Sequence, residues 1–301
     1  MSSKVLLRIA LVLGVALAAW AGLALLRRSS TDTPLVFGLP HLSADSTESI
    51  EYAGPGDTVR LVRRGSVWTV NGYPAATKVV EAFFRALSDT STRSELVAES
   101  AESHARLGVD SAAGKRLTVM GGGKTLLDLW FGGRGPDFEG FYVRRAGDTR
   151  VFLLRGTFAD LTVQPLDDWR EKQVLAVATD SLTRIDVARG KGGYSLTRSP
   201  GGWTNARGAA VDSAQMRRYL AQLREVRATG FPSPEQADSA RFAPPERKLT
   251  LYGQSGQVLA ELSLDSLSST FVLRKGAGTD LYTLDQRMTE LVVPAESTLK
   301  K

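Results

Sequence analysis

The chain has no cysteine and two histidines in 301 residues. Without cysteine there is no disulfide framework, no thiolate zinc site and no thiol to carry a lipid anchor. With His41 and His104 as the only histidines, a zinc site would depend on carboxylates, and neither histidine has a second one at ligand spacing. His41 falls in a proline-bounded polar stretch and His104 beside a Glu-Ser run, both settings for surface residues. No Gly-x-Ser-x-Gly elbow or histidine-based triad order is present, so acyl transfer has little support.

Acidic residues are missing from the first 28 positions, where Lys4, Arg8, Arg27 and Arg28 contribute +4 of the formal +6. Residues 29–301 thus carry only +2. The pI of about 9.6 therefore reflects the N-terminus, and the body lacks the basic footprint of a nucleic-acid binder.

Residues 9–26 form an 18-residue run without a charge, rich in Leu, Ala and Val. At ~1.5 Å per residue this makes ~27 Å of helix, enough for a thin bilayer. A cleaved signal peptide is the competing reading, with Ala19-Trp20-Ala21 as its cleavage site. The apolar run continues past Ala21 and ends at Arg27-Arg28, as a stop-transfer segment does, which favours an uncleaved anchor. Long C-terminal domains translocate largely regardless of flanking charge, so the N-terminus is expected in the cytoplasm and residues 29–301 outside it. Residues 29–41, polar and then proline-bounded, read as a spacer.

The body contains one pattern twice. Asp45, Ser46, Ile50, Leu61, Arg63 and Trp68 recur 135 positions later as Asp180, Ser181, Ile185, Leu196, Arg198 and Trp203. A constant offset across this many positions is the signature of an internal repeat. Each Trp follows a Gly-containing turn and is expected to begin the return strand of a hairpin, pointing into a core. An amphipathic helix follows each time, with Val80, Phe83, Phe84 and Leu87 in one and Met216, Tyr219, Leu220 and Leu223 in the other at i, i+3, i+4, i+7. Paired strands come next, at 117–120 with 125–131 and 141–145 with 150–154, then at 249–252 with 257–264 and 270–274 with 280–284.

Many hairpins and few crossovers predict an α+β fold. The expected plan is an N-terminal transmembrane helix followed by two tandem repeats, each a mainly antiparallel sheet with a packed amphipathic helix. In residue terms this is an anchor at 1–28, a spacer at 29–41, and repeats at 42–172 and 173–301.

These features resemble the DUF4340 family of membrane-anchored proteins. The supporting stretches are Ser66-Val-Trp68-Thr, Arg106-Leu-Gly-Val-Asp110, Gly140-Phe-Tyr-Val143 and Leu166-Asp-Asp-Trp-Arg-Glu-Lys172. Ala243-Pro244-Pro245 replaces Gly-Val-Asp in the second copy, and the Asp-Trp-Arg segment has no counterpart at the C-terminus. The resemblance implies an envelope protein associated with an ABC-type transport system of the gliding-motility kind, with a permease or auxiliary membrane subunit as partner. It assigns no catalytic residue.

Two stretches invite chemistry. Gly121-Gly-Gly-Lys-Thr125 looks like a phosphate-binding loop, but Thr118 stands where the first Gly is required, and the segment joins two expected strands. Asp137 and Glu139, in the Gly-rich residues 132–140, could form a carboxylate pair of the glycosidase type, against a plain reading as a solvated loop. The sequence thus names no catalytic, cofactor-binding or metal-ligating residue and implies no cofactor. The expected function is that of a non-enzymatic, membrane-anchored interaction protein of the envelope. The alternatives are an envelope glycan- or lipid-binding module, or a hydrolase acting through Asp137 and Glu139. Function is best sought at residues 132–140 and 167–172, where the copies differ.

Overall fold

The computed structural model describes residues 36–161 and 164–300. The expected membrane segment at 9–26 lies outside them, as do residues 29–35 of the expected spacer. Among the described residues no helix is long and apolar enough to cross a membrane.

The described residues form two large antiparallel sheets, one small two-stranded sheet and a few helices. In the first, β1 (Ser49–Gly54), β2 (Asp57–Arg64) and β3 (Val67–Val70) make a meander extended by the short β4 (Tyr73–Pro74). Helix α1 (Thr77–Leu87) and β5 (Arg93–Ala98) follow, then helical turn α2 (His104–Leu107). Four strands come next, β6 (Lys115–Gly121), β7 (Lys124–Arg134), β8 (Phe141–Arg145) and β9 (Val151–Arg155), closed by α3 (Thr157–Leu161). The sheet order is β4-β3-β2-β1-β6-β7-β8-β9-β5.

A connector with helical turn α4 (Leu166–Trp169) and β10 (Gln173–Ala176) leads to the second sheet. There β11 (Arg184–Arg189), β12 (Gly192–Ser199) and β13 (Gly202–Asn205) precede helix α5 (Ser213–Leu223). Strand β14 (Glu225–Arg227) and helix α6 (Pro234–Ser239) then lead to β15 (Arg247–Tyr252), β16 (Val258–Leu267), β17 (Thr270–Lys275) and β18 (Leu281–Asp285). Helix α7 (Gln286–Val292) packs after them. The order is β13-β12-β11-β15-β16-β17-β18, the same path that the seven central strands of the first sheet take.

The registers correspond as well. Ile50 faces Leu61 and Val119, and Ile185 faces Leu196 and Leu251, all fully or almost fully buried. The repeated arginines have a shared task, since each reaches back 18 residues to a main-chain carbonyl. Arg63 Nη2 donates to Asp45 O and Arg198 Nη1 to Asp180 O, both at 2.7 Å. Each thereby fastens the turn before the first strand to the hairpin, and each stands opposite its tryptophan across the strands.

Both helices bury the faces that the periodicity predicts. Val80, Phe83, Phe84, Ala86 and Leu87 are buried on α1, and Met216, Tyr219 and Leu223 on α5, each set within its own apolar core. Asp212 caps α5 by accepting from Gln215 N at 2.8 Å, satisfying one of the orphan donors of the first turn.

Several elements differ from the sequence pattern. Trp68 and Trp203 are only half-buried and pack against the edges of the cores, because each lies on a strand near its sheet's edge. Among the described residues the fully buried tryptophan is Trp169, at 1% exposure. Strand β5 has no place in the repeat pattern; it crosses to the far edge and pairs with β9. Its counterpart after α5, the three-residue β14, pairs with β10 in a separate two-stranded sheet. Finally, the packed body begins before residue 42, since Phe37 is buried against Phe152, with ring centroids 5.2 Å apart. Its N–H donates to Ser94 Oγ at 2.8 Å.

Candidate functional site

Residues 132–140 start at a β-bulge. Gly132 and Gly133 together oppose Tyr142, between the Phe131–Val143 and Arg134–Phe141 pairs. The extra residue bends the strand and re-aims the side chains beyond it. Arg134 then lies over the Phe141 ring, 4.7 Å from its centroid, and Nη1 donates to Phe138 O at 3.2 Å. Phe138 sits at φ +60°, a left-handed conformation unusual for an aromatic residue, and is 75% exposed.

In this loop Asp137 is already engaged. It accepts from Arg155 Nη2 at 2.8 Å and from Arg155 Nε at 3.2 Å, while its other oxygen accepts from Glu139 N at 3.1 Å. The Arg155 hydrogen bond, with help from the Glu139 N–H, holds its carboxyl below the usual carboxylate range. Arg155 also reaches Glu95 Oε2 at 3.4 Å. Asp137 is therefore a clasp between the loop and β9, ionised at neutral pH, and unsuited to donating a proton there.

The other stretch, residues 166–172, fastens the two sheets together. Trp169 enters the first core, 5.5 Å from the Tyr52 ring and 6.3 Å from Phe83 by centroid. Its carbonyl accepts from Ala76 N at 2.8 Å, and Glu171 N donates to Pro74 O at 2.8 Å. On the other side Lys172 O accepts from Ala228 N at 2.7 Å, and Glu171 pairs with Arg227 at 3.6 Å. Arg170 packs on both Tyr73 and Phe231, its guanidinium carbon 4.4 and 4.7 Å from the ring centroids, and the two rings meet edge to face at 5.4 Å. Phe231 packs in turn on Tyr282 of β18. Asp167 and Asp168 hold Arg170 and Lys172 at 3.2 and 3.0 Å. The charged run 166–172 is thus a joint, and its signal in the sequence is the Trp inside it.

Gly121–Thr125 is a hairpin turn. Gly122 and Gly123 have φ of +57° and +69°, the two left-handed residues of a tight strand connection. Gly122 N donates to Glu48 Oε1 at 3.2 Å, so a carboxylate lies where a phosphate would have to sit. His104 Nε2 lies 2.8 Å from Thr149 O, tying α2 to the β8–β9 turn, and His41 is exposed. Among the described residues no group of three or more His, Cys, Asp or Glu could hold a metal ion.

No curated protein and no solved structure matches the chain. The family model described as a domain of unknown function, DUF4340, matches residues 68–245, from the Trp of the first hairpin through the joint to the connector that precedes β15. That match covers more than half of the 301 residues. The chain belongs to the DUF4340 family.

Proposed function

We propose that the protein is a single-pass membrane protein, anchored by residues 9–26, whose body outside the cytoplasm is a pair of tandem repeats that serves as a non-enzymatic interaction component of an envelope complex. The observation that carries this reading is the 18-residue uncharged run closed by Arg27-Arg28. Duplication is supported by the constant offset of 135, by the shared seven-strand order and by the paired arginine tethers. The engagement of Asp137 by Arg155 weighs against the alternative of a hydrolase acting through Asp137 and Glu139. An ABC-type permease or its auxiliary subunit is the partner that the family resemblance suggests.

Protease treatment of spheroplasts tests the topology. A C-terminal tag on the full chain is expected to be digested in intact spheroplasts; a tag that survives until the membrane is lysed would overturn the orientation. Crosslinking in intact membranes, followed by mass spectrometry, tests the partner. Crosslinks from the body to a permease or its auxiliary subunit are expected, and crosslinks confined to the chain itself would count against the interaction role.

A further inference from the structure

The first sheet carries a cavity of about 480 Å³ where α2, the start of β6 and the bulge in β7 meet. Three cationic side chains line it, Arg106, Lys115 and Arg134, and no acidic residue does. Arg106 and Lys115 make no ion pair among the described residues, and Arg134 donates only to the Phe138 carbonyl. Nearby, Arg116, Arg150 and Arg155 instead hold Asp128, Asp148 and Asp137 at 2.6 to 2.8 Å. Three cationic residues around one concavity, with no acidic residue among its lining, raise its potential and favour an anion there.

The opening results from the bulge. A Cβ on Gly132 would lie 2.1 Å from Leu107 O, so the residue must be glycine for α2 to sit against the strand. Gly133 has open space in front of it, with nothing within 4 Å of where its Cβ would stand. The second sheet shows what the same place looks like when closed. Strand β16 pairs with β17 without a bulge, and Asp265 there accepts from Arg241 N at 2.7 Å. Arg247, opposite Leu264 as Lys115 is opposite Phe131, is bonded to Glu290 at 2.7 Å. The second sheet thus places a carboxylate, Glu290, on the cation that corresponds to Lys115, and Lys115 itself has no such partner among the described residues.

We propose that this cavity is a binding site for a phosphate group carried by a small ester. A tetrahedral phosphate presents oxygens in several directions, which suits three donors arriving from separate elements, whereas a planar carboxylate suits one bidentate partner. The cavity is larger than a phosphate alone, and Leu107 and Tyr142 provide a wall for the carbon part of an ester. The source is either a lipid headgroup or a soluble phosphate ester. The site depends neither on membrane attachment nor on a transporter partner, so it goes beyond the function proposed above.

The test uses the full chain in neutral detergent, titrated calorimetrically at physiological salt with inorganic phosphate, glycerol 3-phosphate and short-chain dihexanoyl phosphatidic acid. Saturable binding of at least one ester is expected, and inorganic phosphate should be the weakest of the three. Phosphatidic acid binding more tightly than glycerol 3-phosphate identifies a lipid source; equal or weaker binding identifies a soluble one. Lys115→Gln and Arg134→Gln should each weaken binding about tenfold, the size of one lost charge-assisted contact. Gly133→Asp should abolish it by placing a carboxylate in the open space, while Gly133→Ala stays within about twofold of the parent, since that position tolerates a Cβ. Arg218→Gln, on α5 of the second sheet, controls for general loss of charge. The proposal is overturned if none of the three probes saturates. It is equally overturned if Gly133→Asp, folded by circular dichroism, and Lys115→Gln both bind as the parent does.

Discussion

The guanidinium of Arg170 lies 4.4 Å from the centroid of the Tyr73 ring and 4.7 Å from that of Phe231, packed on two rings that themselves meet edge to face at 5.4 Å. Tyr73 belongs to the last strand of the first meander, and Phe231 packs on β18 through Tyr282, so this cation and the two rings it covers couple both sheets. At 14% side-chain exposure this is a largely desolvated cation–π contact, worth about 2 kcal/mol or more. Arg170→Ala should therefore loosen the joint without emptying either core. Chemical denaturation followed by tryptophan fluorescence is expected to show the transition broadening or splitting in two. Arg170→Lys should recover only part of the coupling, because an ammonium cannot stack as a planar group. A single transition at the parent midpoint in the Ala variant would rule out this role.

Trp68, Trp169 and Trp203 should rank by burial. Trp169 is enclosed by Tyr52, Phe83 and the rest of the first core, so Trp169→Ala is expected to cost ~3–5 kcal/mol. Trp68 and Trp203 retain solvent contact and pack on their cores from one side, so their Ala variants should cost clearly less, about 1–3 kcal/mol. Equilibrium unfolding of the three variants checks the order. Equal losses at all three would mean that the hairpin tryptophans are as central as their recurrence in the sequence suggests.

That recurrence shows how far local pattern reaches. Strand alternation and helical period are local properties, and they place the hairpins and the buried faces of α1 and α5 correctly. They do not determine which edge a strand joins. Strand β5 and strand β14 each follow a helix, yet one closes the far edge of a nine-stranded sheet and the other pairs with the connector. Such partners are set by tertiary closure, which residue alternation does not encode. The charged run 166–172 has the composition of a surface segment because five of its seven residues are ionisable, and only the enclosure of Trp169 shows it to be a joint. Likewise Gly132 and Gly133 signal a break in a strand, while their effect, a basic opening absent from the second sheet, depends on where Leu107 is brought to rest.

Glu290 provides a pH-dependent element of the second sheet. From α7 it accepts from Arg189 of β11 at 2.9 and 3.0 Å and from Arg247 of β15 at 2.7 Å, so one carboxylate pins the helix to two strands. Partial burial would raise its pKa, but the hydrogen bonds from Arg247 and Arg189 outweigh that and hold it below the usual glutamate value. A carboxyl depressed in the folded state binds protons more readily when unfolded, so it adds stability above the unfolded value of ~4.3. That contribution is lost as pH falls through the lower folded-state value. Glu290→Gln should destabilise the protein at neutral pH, because Arg247, at 10% side-chain exposure, keeps a charge with a weakened partner. With the carboxylate itself 39% exposed, a cost of about 1–2 kcal/mol is expected, below that of a fully buried pair. Thermal unfolding of parent and variant across the acid range decides it. The gap between them should be widest near neutrality and should close as the pH drops below ~4.3. A gap independent of pH would assign the effect to packing rather than to the ionised carboxylate.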